Sequence, residues 1–114
     1  FVATEECDES DAYKNDYIRA EKNDIQIIQS PVGMPGRALR NEFIKGLEMG
    51  RKPIRKCYNC LENCDPRSVP YCITKALIDA VRGDIENGLV FCGENVCRIH
   101  EMTTVHDLMQ ELCY

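Results

Sequence analysis

The chain has 114 residues, which suits one domain or a portion of one, and no apolar run reaches the roughly 20 residues a transmembrane helix needs. Its 19 acidic and 14 basic residues give a net charge of -5 with both signs interspersed, which argues against nucleic acid or an anionic membrane as the main partner. Eight cysteines leave three readings, a disulfide framework, a metal site or reduced thiols, and the helical periodicity of the second half, which needs no staples, favours a reducing cytosol. With no basic-then-apolar signal segment at its start, the chain is expected to be soluble and cytoplasmic.

The opening FVATEE is apolar then polar and reads as the end of a buried strand. Ser10 can cap a helix with Asp11 in its first turn, and Tyr13, Tyr17 and Ala20 form one apolar stripe to about Lys22. The β-branched DIQIIQ, Asp24 to Gln29, predicts a short strand. The glycines and prolines of SPVGMPG then predict a turn with no regular element. Leu39, Phe43 and Leu47 recur every fourth residue in RALRNEFIKGLEMG and predict a helix with Gly50 at its end. Arg37, Arg40 and Lys45 beside that stripe read as a solvated face, with a phosphate-holding basic cluster as the alternative. The stretch KCYNCLENCDPRSVPYC is broken by Asp65-Pro66 and Pro70 and is expected to be mostly loop. Ile73, Ala76, Leu77, Ala80 and Val81 mark the clearest helix, stopped by Gly83. After a turn at Asn87-Gly88, Leu89 to Phe91 resembles a buried parallel strand. Thr104 with Asp107 opens a capped helix carrying Val105, Leu108, Met109 and Leu112 on one face.

Helices alternating with short strands are the pattern of an α/β protein with a parallel sheet. Two or three strands of this length cannot make such a sheet alone, so the chain is expected to be incomplete.

Four stretches carry a family resemblance: FVATEECD, SPVGMPGRALRNEF, DIENGLVFCGENVCRI and VHDLMQEL, in that order from Phe1 to about Leu112. They resemble the C-terminal part of the 2-nitropropane dioxygenase family, which comprises FMN-dependent nitronate monooxygenases and flavin-type enoyl-acyl carrier protein reductases on a (β/α)8 barrel. The resemblance implies that residues 1-114 are a single C-terminal fragment of that barrel, helix-rich in isolation, with a Cys-rich insertion at about 53-72. It also implies that the catalytic base and the main FMN phosphate groups lie upstream, so no catalytic residue is assigned, and His100 and His106 are surface or helix-flank histidines. Barrel phosphate sites favour the late strand ends, which makes Thr4 a candidate FMN contact, with polar surface as the alternative. Gly93 and Glu94 fall where many relatives read Gly-Gln beside the flavin. There the glycine permits close backbone approach, and a plain strand-end turn is the alternative.

Cys57, Cys60, Cys64 and Cys72 follow C-x2-C-x3-C-x7-C. Soft thiolates suit tetrahedral zinc or an iron-sulfur cluster, and three cysteines close together with a distant fourth lean toward the cluster. Disulfide pairing and reduced thiols filling apolar gaps are the alternatives. Cys72 is expected in the first turn of the strongest helix, where the dipole favours a thiolate. Cys7, Cys92, Cys97 and Cys113 lack ligand spacing.

The resemblance implies an FMN-dependent oxidoreductase acting on a small molecule, a nitronate or, alternatively, an enoyl thioester, and inactive as this chain alone. A free-standing metal-binding module and a disulfide-stabilised interaction domain are the rival classes. A homo-oligomer or association with the missing barrel portion would cover the open strand edges.

Overall fold

In the computed structural model, residues 1-113 are described. The first helix, α1, runs Asp11–Arg19, and the Ser10 side chain accepts from the Tyr13 amide at 3.3 Å, as its position before the apolar stripe predicts. Strands β1 (Ile25–Gln29) and β2 (Pro35–Leu39) form an antiparallel hairpin, pairing Ile25 with Leu39 and Gln29 with Pro35. The turn is closed by the Gly33 amide donating to the Ser30 carbonyl at 3.0 Å, with Gly33 at φ +90.

This hairpin departs from the expected order. The glycine-proline turn gives way to a strand at Pro35, and Arg37 to Leu39 are extended rather than helical. The spacing of Leu39, Phe43 and Leu47 imitates a helix, but the backbone of 37-39 finds better partners. The Leu39 amide donates to the Val90 carbonyl at 2.9 Å and the Cys92 amide to the Arg37 carbonyl at 3.0 Å. Leu89 to Phe91 therefore runs beside β2 in antiparallel sense, bridged at Ala38 and Phe91, where a parallel strand was expected. The parallel pairing among the described residues is a single bridge, Thr4 to Thr103, and turns flank Thr4 on both sides, so the expected strand end is reduced to one bridging residue.

Helix α2 (Glu42–Glu48) starts at Asn41, which is extended at φ -147 and accepts from the Ile44 amide at 3.1 Å. Helix α3 (Ile73–Arg82) ends at Gly83, left-handed at φ 103. Helix α4 (Val105–Leu112) is capped by Thr104, which accepts from the Asp107 amide at 3.1 Å. No helix is long and apolar enough to cross a membrane among the described residues.

Because side chains alternate along extended backbone, β2 and the 89-91 segment feed two cores. Ala38 and Leu89 join Ile28, Phe43, Ile44, Tyr71, Ile73 and Ala76 on one side. Leu39 and Val90 join Tyr13, Ala20, Ala80 and Val96 on the other. Tyr71 and Ile73 tie the end of the Cys-rich loop to the first core, and Phe43 meets Tyr71 edge-on at 5.2 Å.

Candidate functional site

No regular element occurs between Glu48 and Ile73. A loop this long exceeds the ~12–15 residues beyond which structureless connections are uncommon and usually functional. Its neck is closed by backbone and arginine. The Lys52 amide donates to the Pro70 carbonyl at 2.8 Å, and the Arg51 guanidinium donates to the carbonyls of Pro66 at 2.8 Å and Val69 at 3.3 Å.

Inside this lobe all four cysteines of the motif, Cys57, Cys60, Cys64 and Cys72, line one cavity of ≈ 20 Å³, together with Ile54, Tyr58, Leu61, Pro66 and Ile73. Cys72 occupies the N-cap of α3 rather than its first turn, and its side chain makes no capping bond. Partial burial, then the neighbouring thiols of Cys57, Cys60 and Cys72, push the Cys64 thiol up from its ordinary value. All eight cysteines are free. The four sulfurs border the cavity, yet among the described residues no group of three or more His, Cys, Asp or Glu is drawn together tightly enough to hold a metal.

Asn59 is the residue that the spacing of thiols did not reveal. It is the one non-glycine with positive φ among the described residues, at 54. In that conformation its amide donates to the Cys57 sulfur at 3.4 Å, and the Cys57 thiol reaches the Asn59 Oδ1 at 3.6 Å. Asparagine is among the few residues that accept a left-handed backbone, so an asparagine two places after a cysteine was the available signal. An adjoining cavity of ≈ 380 Å³ is edged by Lys52, Arg55, Lys56 and Lys75, which sets positive charge beside the thiols.

The candidate flavin contacts are not brought together. Thr4 is 2% exposed, and its hydroxyl donates to the Phe1 carbonyl at 2.7 Å, so it is spent on the chain's own backbone. A cavity of ≈ 360 Å³ opens beside it, lined by Phe1, Arg98, His100 and Thr103 among others, but not by Gly93 or Glu94. Gly93 and Glu94 are exposed, and a side chain built at Gly93 would meet nothing within 4 Å, so no cradle surrounds that glycine. The described residues thus offer separate open faces and do not by themselves fit a flavin. His100 and His106 are both exposed. Arg40 pairs with Glu48 at 2.7 Å and Lys45 with Glu42 at 3.3 Å, which makes that basic cluster a solvated face.

A hairpin, a single parallel bridge at Thr4 and four helices define a helix-rich α/β protein. The chain belongs to the nitronate monooxygenase family, whose sequence profile matches residues 1–114. Its fold is shared by two solved structures, FabK from Thermotoga maritima and a mutant of it. The TM-scores are 0.69 and 0.68 at 24% and 22% identity, over 96% and 97% of this chain. The chain spans about a third of those proteins, 32% and 29%. No curated protein matches it.

Proposed function

We propose that these residues are the C-terminal portion of an FMN-dependent oxidoreductase acting on a small-molecule nitronate, with the barrel that holds the flavin completed by other residues. The observation that carries this reading is the family match along the whole of residues 1–114. Flavin supplies the redox chemistry in such enzymes, while protein groups bind, orient and exclude. The role left to this chain is positional. Thr4, buried and bonded to Phe1, fixes the backbone of the opening turns. The exposed turn at Gly93 and Glu94 presents backbone free of side-chain bulk.

A test uses the natural full-length protein. Released FMN is expected at one equivalent, with oxygen consumed on addition of an alkyl nitronate. A second reading is an enoyl-acyl carrier protein reductase, because the family resemblance covers both activities. It would be favoured by oxidation of reduced nicotinamide with a crotonyl carrier and no response to nitronate. Absence of bound flavin from the folded protein would end both.

The four cysteines of the lobe form, in the same proposal, a thiolate site for a soft metal, zinc or an iron-sulfur cluster. The open faces of the chain are covered by the rest of the barrel, a second copy being the other candidate. The site of action is the cytoplasm, where thiols stay reduced.

A further inference from the structure

We propose that Cys57, Cys60, Cys64 and Cys72 bind a single divalent ion, zinc by preference, which pins the irregular lobe to the start of α3. This rests on the reading of the four cysteines as a metal-thiolate site and decides between its two forms. Size is the first argument. The cavity that all four side chains border is ≈ 20 Å³. A cavity of ~10–15 Å³ holds one water-sized occupant, so this one suits one ion with Zn–S bonds of about 2.3 Å. An iron-sulfur cube carries its own sulfides and is several times bulkier.

Chemistry is the second argument. Besides the sulfurs, the cavity wall includes Ile54, Tyr58, Leu61, Pro66 and Ile73, so the four thiols are the soft donors that it offers. The ligand set is therefore all sulfur, the donor set of closed tetrahedral zinc sites.

Preorganisation is the third. The left-handed backbone at Asn59 aims its amide at the Cys57 sulfur, 3.4 Å away. The Cys57 thiol in turn reaches the Asn59 Oδ1 at 3.6 Å, so this turn fixes where the sulfur stands beside the cavity. The neck bonds from Arg51 and Lys52 hold the two ends of the lobe together without using any cysteine.

Charge is the fourth. Zinc with four thiolates carries a net charge of about −2. Lys52, Arg55, Lys56 and Lys75 edge the adjoining cavity, which also touches Cys72. Binding transfers no electron: each Zn–S bond that forms releases one thiol proton to solvent. The four sulfurs border the cavity without meeting at one point, so binding has to draw them inward.

The experiment uses the full natural chain, produced with both zinc and iron in the medium and purified without oxygen. One zinc per chain is expected, with no acid-labile sulfide. Four of the eight cysteines should resist alkylation until a chelator is added. Cobalt(II) in place of zinc should give thiolate charge-transfer bands and tetrahedral d–d bands at one equivalent. Cys64→Ser should weaken zinc binding by more than the ~10–100-fold lost when a group merely supporting a ligand is removed. Cys113→Ser, at an exposed position that borders none of these four sulfurs, should leave affinity unchanged. If Cys64→Ser fails to fold, the alkylation pattern of the unaltered protein still decides. Several irons with sulfide would overturn the single ion while leaving the metal-thiolate site standing. No metal, with eight reactive thiols or with disulfides, would overturn both.

Discussion

Asn41 joins two parts of the fold through one side chain. Its Oδ1 caps α2, while its Nδ2 donates to the carbonyls of Ile85 at 2.9 Å and Gly88 at 2.8 Å. Asn41→Ser keeps an acceptor for the cap but abandons two half-buried carbonyls, so a loss of about 2 kcal/mol is expected, against about 3 kcal/mol for Asn41→Ala. Denaturant midpoints of the two variants measure the difference, and equal losses would show that the Nδ2 bonds contribute nothing. Gly88 is a steric counterpart. A Cβ there would lie 2.5 Å from the Ala80 backbone, which belongs to α3 and cannot move aside as a flexible side chain could. Gly88→Ala is therefore expected to cost about 3 kcal/mol, or to abolish folding, and a stable variant with an unchanged melting temperature would contradict the close helix contact. The caps at Ser10 and Thr104 were legible because each precedes an apolar stripe. Asn41 was not, because Leu39 two residues earlier continues a false period of four into a strand.

Among the elements, α1 shows how burial turns into pH dependence. Burial raises the Tyr13 phenol far above its ordinary value, with Tyr17 adding to the effect. Burial also raises Tyr17, whose hydroxyl donates to the Phe91 carbonyl. The folded chain therefore holds both phenolic protons more tightly than the unfolded chain does. Stability from this source is complete below pH 10.0, the ordinary phenol value, and is lost as pH rises through the folded values. Urea midpoints should hold up to about pH 10, the ordinary phenol pKa, and fall steadily above it. Tyr17→Phe should cost about 1 kcal/mol at neutral pH through the lost hydrogen bond and flatten the alkaline fall. An alkaline fall unchanged by Tyr17→Phe would assign it to other groups. Helices α1, α3 and α4 were readable from periodicity and caps, as was β1 from its β-branched run. The partner of β1 was hidden because Pro35 and Gly36 signal a turn by composition, and pairing with β1 and with residues 89-91 overrides that preference.

At the scale of the whole molecule, the chain is more open than a domain of its length needs to be. Its radius of gyration is 15.3 Å, where a compact domain of this length has ~13 Å. It exposes 7867 Å² of surface, against ~6,300 Å² for a folded monomer of equal mass. Helix α4 shows where the excess lies. It buries no residue fully, leaving Met109 at 43% and Leu112 at 62% exposed although they share one face with Val105 and Leu108. The sequence showed that face but not what lies against it, since the expected parallel strands that would flank it are not among the described residues. The chain matches only 29% and 32% of the two FabK proteins, and the remaining barrel is the occupant proposed for this face. Burying a Met or Leu side chain contributes roughly 1.5–3 kcal/mol, and a lysine there would leave a charge to be solvated as well. Met109→Lys with Leu112→Lys should therefore lower the melting temperature of the full-length protein by about 5 °C or more. The same pair in the isolated 114-residue chain should leave its stability nearly unchanged and reduce its self-association. Equal behaviour of the two proteins, with no destabilisation of the longer one, would show that α4 faces solvent throughout and that the barrel is closed without it.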